Sequence, residues 1–390
     1  MFGSRSDRPA VYLDYNATAP LRPEALEAMT RALEAGGNPS SVHGPGRRAR
    51  ATVEDAREAV AALVNARPEQ VIFTSGGTEA DALALGGTGR ARAVVSAVEH
   101  DAVLKAHPDT RLCPVDSDGV LDLEALAALL AEEPDPARVI VSVMLANNET
   151  GAVQPVKKAA KIAHDAGALI HCDAVQGPGR VGVDMHALRV DLLTLSAHKL
   201  GGPPGVGALI AADPLALAPV QRGGGQERGK RAGTENVPGI AGFGAVARVL
   251  AAAGREEAEA VRALQERLEA GIADIAPSAV IHGAGAAVRL PNTTCVGLPG
   301  VTNQSQLMAL DLSGVAVSAG AACSSGKVAA SHVLRAMGLS EATAREAVRI
   351  SLGWASTAAD VDAFLKAWRP LARRARPVAT VDGGGAQRTS

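Results

Sequence analysis

Residues 191–211 read DLLTLSAHKLGGPPGVGALIA: an apolar run to Ser196, then Ala197-His198-Lys199, a turn rich in glycine and proline, and a second apolar run from Gly205. Neither run shows the polar alternation of a sheet with one wet face, so both read as strands buried on both sides. Lys199 then stands on a loop at the C-terminal end of a buried strand, the crevice where open α/β sheets bind ligands. An amine held in partly apolar surroundings loses basicity and suits Schiff-base chemistry with a carbonyl. Taken alone, a lysine in a glycine-rich turn reads as a surface residue, so its neighbours decide.

Runs of the same kind lie upstream: VIFT at 71–74, AVVSAV at 93–98, VIVSVML at 139–145 and ALIHCD at 168–173. Helical patterns separate them, at 77–87, at 121–130 with Asp122 as the expected N-cap, and at 155–166 with Pro155 near the first turn. Strands alternating with helices predict an α/β fold, a mainly parallel sheet sandwiched by helices. Beyond it one long helix is expected over 237–275, with Val237, Ile240, Phe243, Val246, Val249 and Leu250 at helical spacing. The runs TTCVGL, GVAVS and AVRISL and two helices within 279–374 predict a smaller α+β domain. The expected division is an N-terminal segment 1–20 packing with the small domain, a large domain 21–260, a small domain 261–376, and a disordered tail 377–390.

The 390 residues carry 39 Lys and Arg against 41 Asp and Glu, a net charge of −2, so no basic field exists to hold nucleic acid or an anionic membrane. With 2% aromatic residues, stacking platforms for single strands are missing too. No apolar h-region follows the N-terminal charges and no uninterrupted apolar stretch of 18 residues occurs, so a cytoplasmic protein is expected. Cys113, Cys172, Cys295 and Cys323 are scattered without a CxxC pair, which argues against a zinc ribbon or disulfide scaffold and fits a reducing compartment.

Other strand ends hold chemistry. Asp173 closes ALIHCD, and a carboxylate there needs a cation or donor, such as the protonated ring nitrogen of pyridoxal phosphate; a helix cap is the plainer reading. In TSGGTEADALAL, 74–85, a strand breaks into glycines before a helix, an arrangement whose amides favour an anion. Ser196 and His198 flank the lysine as further donors. His100 ends VEH, where an imidazole can stack on a planar ring and carry protons. ANNETG, 146–151, and GGGQERGKRAGTENV, 223–237, are polar loops that tertiary folding can bring to the same rim. Cys323 lies among small residues in SAGAACSSG, the setting of an exposed, reactive thiol, whereas Cys172 and Cys295 lie in apolar runs.

Together YLDYNATAP, NPSSVHGPGRRAR, FTSGGTEADALAL, ANNETGAVQP, HCDAVQ, SAHKLGGPPGVGAL, GGGQERGKRAGTENV and SAGAACSSG resemble the class V aminotransferase family of pyridoxal-phosphate enzymes, and within it the NifS-like cysteine desulfurases. The resemblance spans residues 12 to about 354. It implies a fold-type I transferase with a mainly parallel seven-stranded sheet flanked by helices and a smaller α+β domain. It implies pyridoxal 5'-phosphate bonded to Lys199, with Asp173 on the ring nitrogen, Gln176 and Asn148 on the phenolic side, and His100 stacked on the ring and moving protons. It further implies a phosphate held by Gly77, Thr78, Ser196 and His198, with Thr234 contributed across a homodimer interface. Arg349 matches the arginine that binds the substrate carboxylate, a task that suits a bidentate fork. Cys323 matches the cysteine that takes sulfur from L-cysteine as a persulfide, leaves alanine, and passes the sulfur to an acceptor such as an iron-sulfur scaffold. L-selenocysteine as substrate, and a retired sulfur-carrier or scaffold that keeps only the fold, stay open as alternatives.

Overall fold

The computed structural model of the chain describes residues 11–319 and 330–375. Cys323, the first ten residues of the N-terminal segment and the tail 377–390 lie outside the described residues. The strands are β1 (Val11–Tyr12), β2 (Val71–Thr74), β3 (Arg92–Ser96), β4 (Thr110–Cys113), β5 (Val139–Ser142), β6 (Leu169–Asp173), β7 (Leu192–Ser196), β8 (Gly207–Ala211), β9 (Val280–His282), β10 (Thr293–Gly297), β11 (Val315–Ala316) and β12 (Ala347–Ser351). The helices are α1 (Pro23–Ala35), α2 (Gly44–Leu63), α3 (Gly77–Gly87), α4 (Asp101–Leu104), α5 (Leu123–Ala131), α6 (Val156–Asp165), α7 (Met185–Leu188), α8 (Val237–Ile275), α9 (Asn303–Leu312), α10 (His332–Ala336), α11 (Glu341–Ala344) and α12 (Ala358–Ala372).

Strands β2 to β8 form one seven-stranded sheet in the order β2-β8-β7-β6-β5-β3-β4. β8 runs antiparallel to β2 and β7, and every other pair in the sheet is parallel. The six apolar runs of the sequence all become strands here, buried along nearly their whole length. Successive side chains go to opposite faces. Val71 and Phe73 join a core with α2, α5, α6 and α8, while Ile72 joins one with α3 and α4. The seventh strand, β4, was not anticipated: TRLC sits at the sheet edge with Leu112 exposed, so its residues need no continuous apolar pattern.

Asp122 caps α5 as expected, accepting from the backbone N–H of Glu124 and Ala125. α8 has the expected 39 residues and a span of ~58 Å at 1.5 Å per residue. Its first half (Val237, Ile240, Phe243, Val246) belongs to the sheet's core, and its second half (Val261, Leu268, Ile272) to a separate core with Phe364 and Trp368 of α12. A mean hydropathy of 1.5 over one stretch makes α8 long and apolar enough to cross a membrane, yet 61% of that stretch is buried inside the protein. A Cβ on Gly244 would lie 2.6 Å from Ala56, so the absent side chain is what lets α8 close on α2.

The second core is built on the antiparallel sheet β12-β10-β9 and on β1 paired parallel with β11, Val11 opposite Val315. Besides α9 and α12 this region carries α10 and α11, of five and four residues, too short to announce a helical period. From β1 the chain runs through residues 13–22 over the C-terminal edge of the large sheet to α1.

Candidate active site

One cavity of about 440 Å³ opens at the C-terminal ends of the parallel strands, and Gly77, Thr78, His100, Asn148, Asp173, Gln176, Ser196, His198, Lys199 and Arg349 all line it. Ser318, five positions before Cys323, lines it as well. Thr234 does not: it is exposed on the loop after β8, away from this cavity.

Asp173, the last residue of β6, is 7% exposed and accepts from the Val175 N–H at 2.9 Å. Burial pushes its carboxyl up, and the Val175 N–H and the charges of His100 and Lys199 pull it back. Lys199 donates from Nζ to the carbonyls of Asn16 and Ala17, both at 2.8 Å. Burial, then the charges of Arg349 and Arg180, push its amine down to about 8 against Asp173 and Asp14. The His198 imidazole, 3.2 Å from Thr18 Oγ1, is pushed down to about 4 by burial and by Lys199, so it is neutral at pH 7.

At the other end of the cavity α3 begins at Gly77 with no side chain capping its first turn. Its amides are free for an anion. A Cβ on Gly207 would meet Gly76 Cα at 2.8 Å, so the strand–helix turn reaches this position because β8 has a glycine there. His100 accepts from the Ala102 N–H on Nδ1 at 3.1 Å, capping α4 and leaving Nε2 and the ring face to the cavity. One ring thus both caps a helix and lines the cavity. Arg349 of β12 donates to Asp14 Oδ1 at 2.6 Å and to the Asn148 carbonyl at 3.2 Å, and its buried Nε has no partner among the described residues.

Beneath Asp173 lie carboxyls the sequence analysis did not single out. Asp81 of α3 and Glu99 are 1% and 0% exposed, and burial together with the charge of Asp173 pushes both well above the usual range. Burial and the charge of Asp173 thus favour the protonated form of both, and Asp81 lines the cavity together with Asp173. The signal was Asp81 on the apolar face of α3, between Ala80 and Leu83. His171 stands between Ser142 Oγ (2.8 Å) and Thr194 Oγ1 (2.9 Å), pushed down to about 3 by burial, and is neutral too. Cys113, Cys172 and Cys295 are buried packing residues whose thiols burial pushes up, to about 12 for Cys113 and Cys295.

The donor set fits a phosphorylated planar ring: Asp173 could meet a basic ring nitrogen, the Lys199 amine a carbonyl carbon, and the α3 N-terminus a phosphate. Residues 11–364 match the family model described as Aminotransferase class-V. The chain belongs to the class-V aminotransferase family. Among relatives in this family, a cysteine desulfurase of Cereibacter sphaeroides is 45% identical over 381 residues, covering 94% of this chain and 96% of its own. An IscS-like cysteine desulfurase of Mycobacterium tuberculosis is 38% identical, covering 96% and 100%. The solved structure of a NifS-like protein from Rickettsia africae superimposes with a TM-score of 0.87 at 34% identity, covering 93% of this chain and 99% of that one. The fold is therefore the fold-type I architecture of this family, a mainly parallel sheet flanked by helices.

Proposed function

We propose that the chain is a cysteine desulfurase, which with pyridoxal 5'-phosphate in the cavity converts L-cysteine to L-alanine and leaves the sulfur as a persulfide on Cys323. The observation that carries this reading is the meeting of Lys199, Asp173, the α3 N-terminus and Arg349 in one cavity, with Ser318 in its wall. Asp173 would hold the ring nitrogen, Gln176 and Asn148 the phenolic side, His100 the ring face, and Gly77, Thr78, Ser196 and His198 the phosphate. Thr234 completes the phosphate site of a second subunit in a homodimer. Residues 21–260 form the cofactor-binding unit, and 261–376 with the N-terminal segment form the unit that carries Cys323.

When bound, the cofactor supplies a carbonyl for the substrate amine and an electron sink for its α-carbon. The chain's residues do the rest. Arg349, whose buried Nε has no partner among the described residues, takes the substrate carboxylate beside Asn148. Lys199 Nζ, neutral in part near pH 8, removes the α proton. His100 Nε2 is placed to move a second proton. The Cys323 thiolate attacks the substrate sulfur: the Cβ–S bond breaks, an S–S bond forms, and a proton completes the methyl group of alanine. Atoms and electrons balance without an external oxidant, and the persulfide passes to an acceptor protein such as an iron-sulfur scaffold.

The test is incubation with L-cysteine while alanine and Cys323 persulfide are measured by mass spectrometry. Wild type forms both in equal amount. Cys323→Ser retains the cofactor and forms no persulfide; undiminished sulfur release by that variant overturns the assignment.

A further inference from the structure

Arg180 follows Gln176 across the turn Gly177-Pro178-Gly179, and that turn is pinned to α8: a Cβ on Gly179 would meet Leu250 Cδ2 at 2.7 Å. From there one guanidinium reaches two residues of the site. Nη1 donates to the Gln176 side-chain Oε1 and, at 3.3 Å, to the Gln176 carbonyl, while Nη2 donates to the Lys199 carbonyl at 3.2 Å. Gln176 Nε2 in turn donates to the Asn16 carbonyl at 3.1 Å, and Lys199 Nζ donates to the same carbonyl at 2.8 Å. Arg180, Gln176, Asn16 and Lys199 thus close a ring of hydrogen bonds.

We propose that Arg180 is a positioning residue of this site, its hydrogen bonds to the Gln176 amide and the Lys199 carbonyl holding a positive charge beside the Lys199 amine. Two features carry this. Arginine has no acceptor, so the Gln176 oxygen must face Arg180 and the amide N–H₂ must face Asn16 and the cavity. That decides which end of Gln176 a ligand meets. Second, among the described residues no carboxylate is ion-paired with Arg180, although the side chain is half-buried in the wall of the site. Burial and Arg349 push its guanidinium down to about 9, still protonated at pH 7. An uncompensated cation beside Lys199 favours the neutral amine, in the same sense as Arg349 and against Asp173 and Asp14, while His198 next to it is neutral.

The proposal rests on Lys199 being the reactive amine of the proposed function, but its test reads the amine directly. In the cofactor-free full chain, trace acetylation of Lys199 is followed by mass spectrometry across pH. Wild type labels with a midpoint near 8. Arg180→Met, which keeps the bulk and removes the charge, moves the midpoint up by about one pH unit, a roughly tenfold loss of neutral amine at pH 7. Arg180→Lys, which keeps a charge and loses the fork, stays close to wild type. Arg180→Gln serves as a second neutral replacement should the methionine variant fail to fold. Equal midpoints in all variants, or a displacement in Arg180→Lys as large as in Arg180→Met, overturns the proposal. That result leaves the desulfurase reading intact, which falls instead if wild type makes no alanine from L-cysteine.

Discussion

Glu99 is completely buried, with Oε1 accepting from the Met144 N–H at 2.5 Å and Oε2 without a partner among the described residues. Its carboxyl is pushed well up, by burial first and then by Asp173. An acid whose folded pKa lies above its unfolded value binds more protons folded than unfolded, so between those two values stability falls as pH rises. The unfolded value is about 4.3, so the cost sets in above roughly pH 4.5. Glu99→Gln keeps an oxygen for Met144 and cannot ionise in the unfolded chain. It should melt like wild type at pH 4.5 and above it at pH 8, by a few degrees for each ~1 kcal/mol recovered. Thermal melts at the two pH values check this. A variant that melts lower at pH 8 would mean that Glu99 is ionised in the fold and held by something other than Met144.

The loop 223–237 between β8 and α8 shows how an element with no apolar pattern is held. Glu227 and Arg228 both adopt left-handed backbone, φ 46° and 57°. The Glu227 carboxylate, 2% exposed, takes two hydrogen bonds from Arg57 of α2 at 2.8 Å and one from the Phe73 N–H of β2 at 2.8 Å. Further along, Arg231 pairs with Glu79 in the first turn of α3. Glu227→Gln leaves the buried Arg57 cation with only the half-exposed Glu54 as its anion and should cost about 3 kcal/mol, read as a lower urea midpoint. Glu259→Gln, which removes an exposed pair with Arg255, should leave the midpoint unchanged. The same contrast explains what was legible in the sequence. Strands buried on both faces announce themselves as unbroken apolar runs, and α8 by its period, because solvent exclusion acts on each residue separately. Asp173 was legible because it closes β6, and Lys199 and His100 because they lie in the turns three and four residues past β7 and β3, although His100 caps α4 rather than ending a strand. The Arg180–Lys199 contact and the Asp14–Arg349 pair were not legible, since these partners lie 19 and 335 positions apart, which no local pattern encodes. β4 escaped because an edge strand needs few apolar residues.

At the scale of the whole molecule, Thr234 is not among the residues that line the cavity beside the α3 N-terminus: it is exposed, on a loop held by Arg57 and Glu79. Assigning Thr234 to the cavity of a second subunit has a consequence that stoichiometry can decide. Lys199→Ala homodimers lack the amine in both sites, and Thr234→Ala homodimers lack the hydroxyl in both, so each should be nearly inactive. In a hybrid dimer, one site combines the intact Lys199 of one subunit with the intact Thr234 of the other, and the second site carries both defects. Random exchange of equal amounts makes about half of all dimers hybrid, each with one intact site of two, so alanine formation should recover to about a quarter of the wild-type rate per subunit. Were Thr234 to serve its own chain, every site in the mixture would carry a defect and no activity would return. The rate after refolding the two variants together, compared with the rate after mixing them without exchange, separates these outcomes.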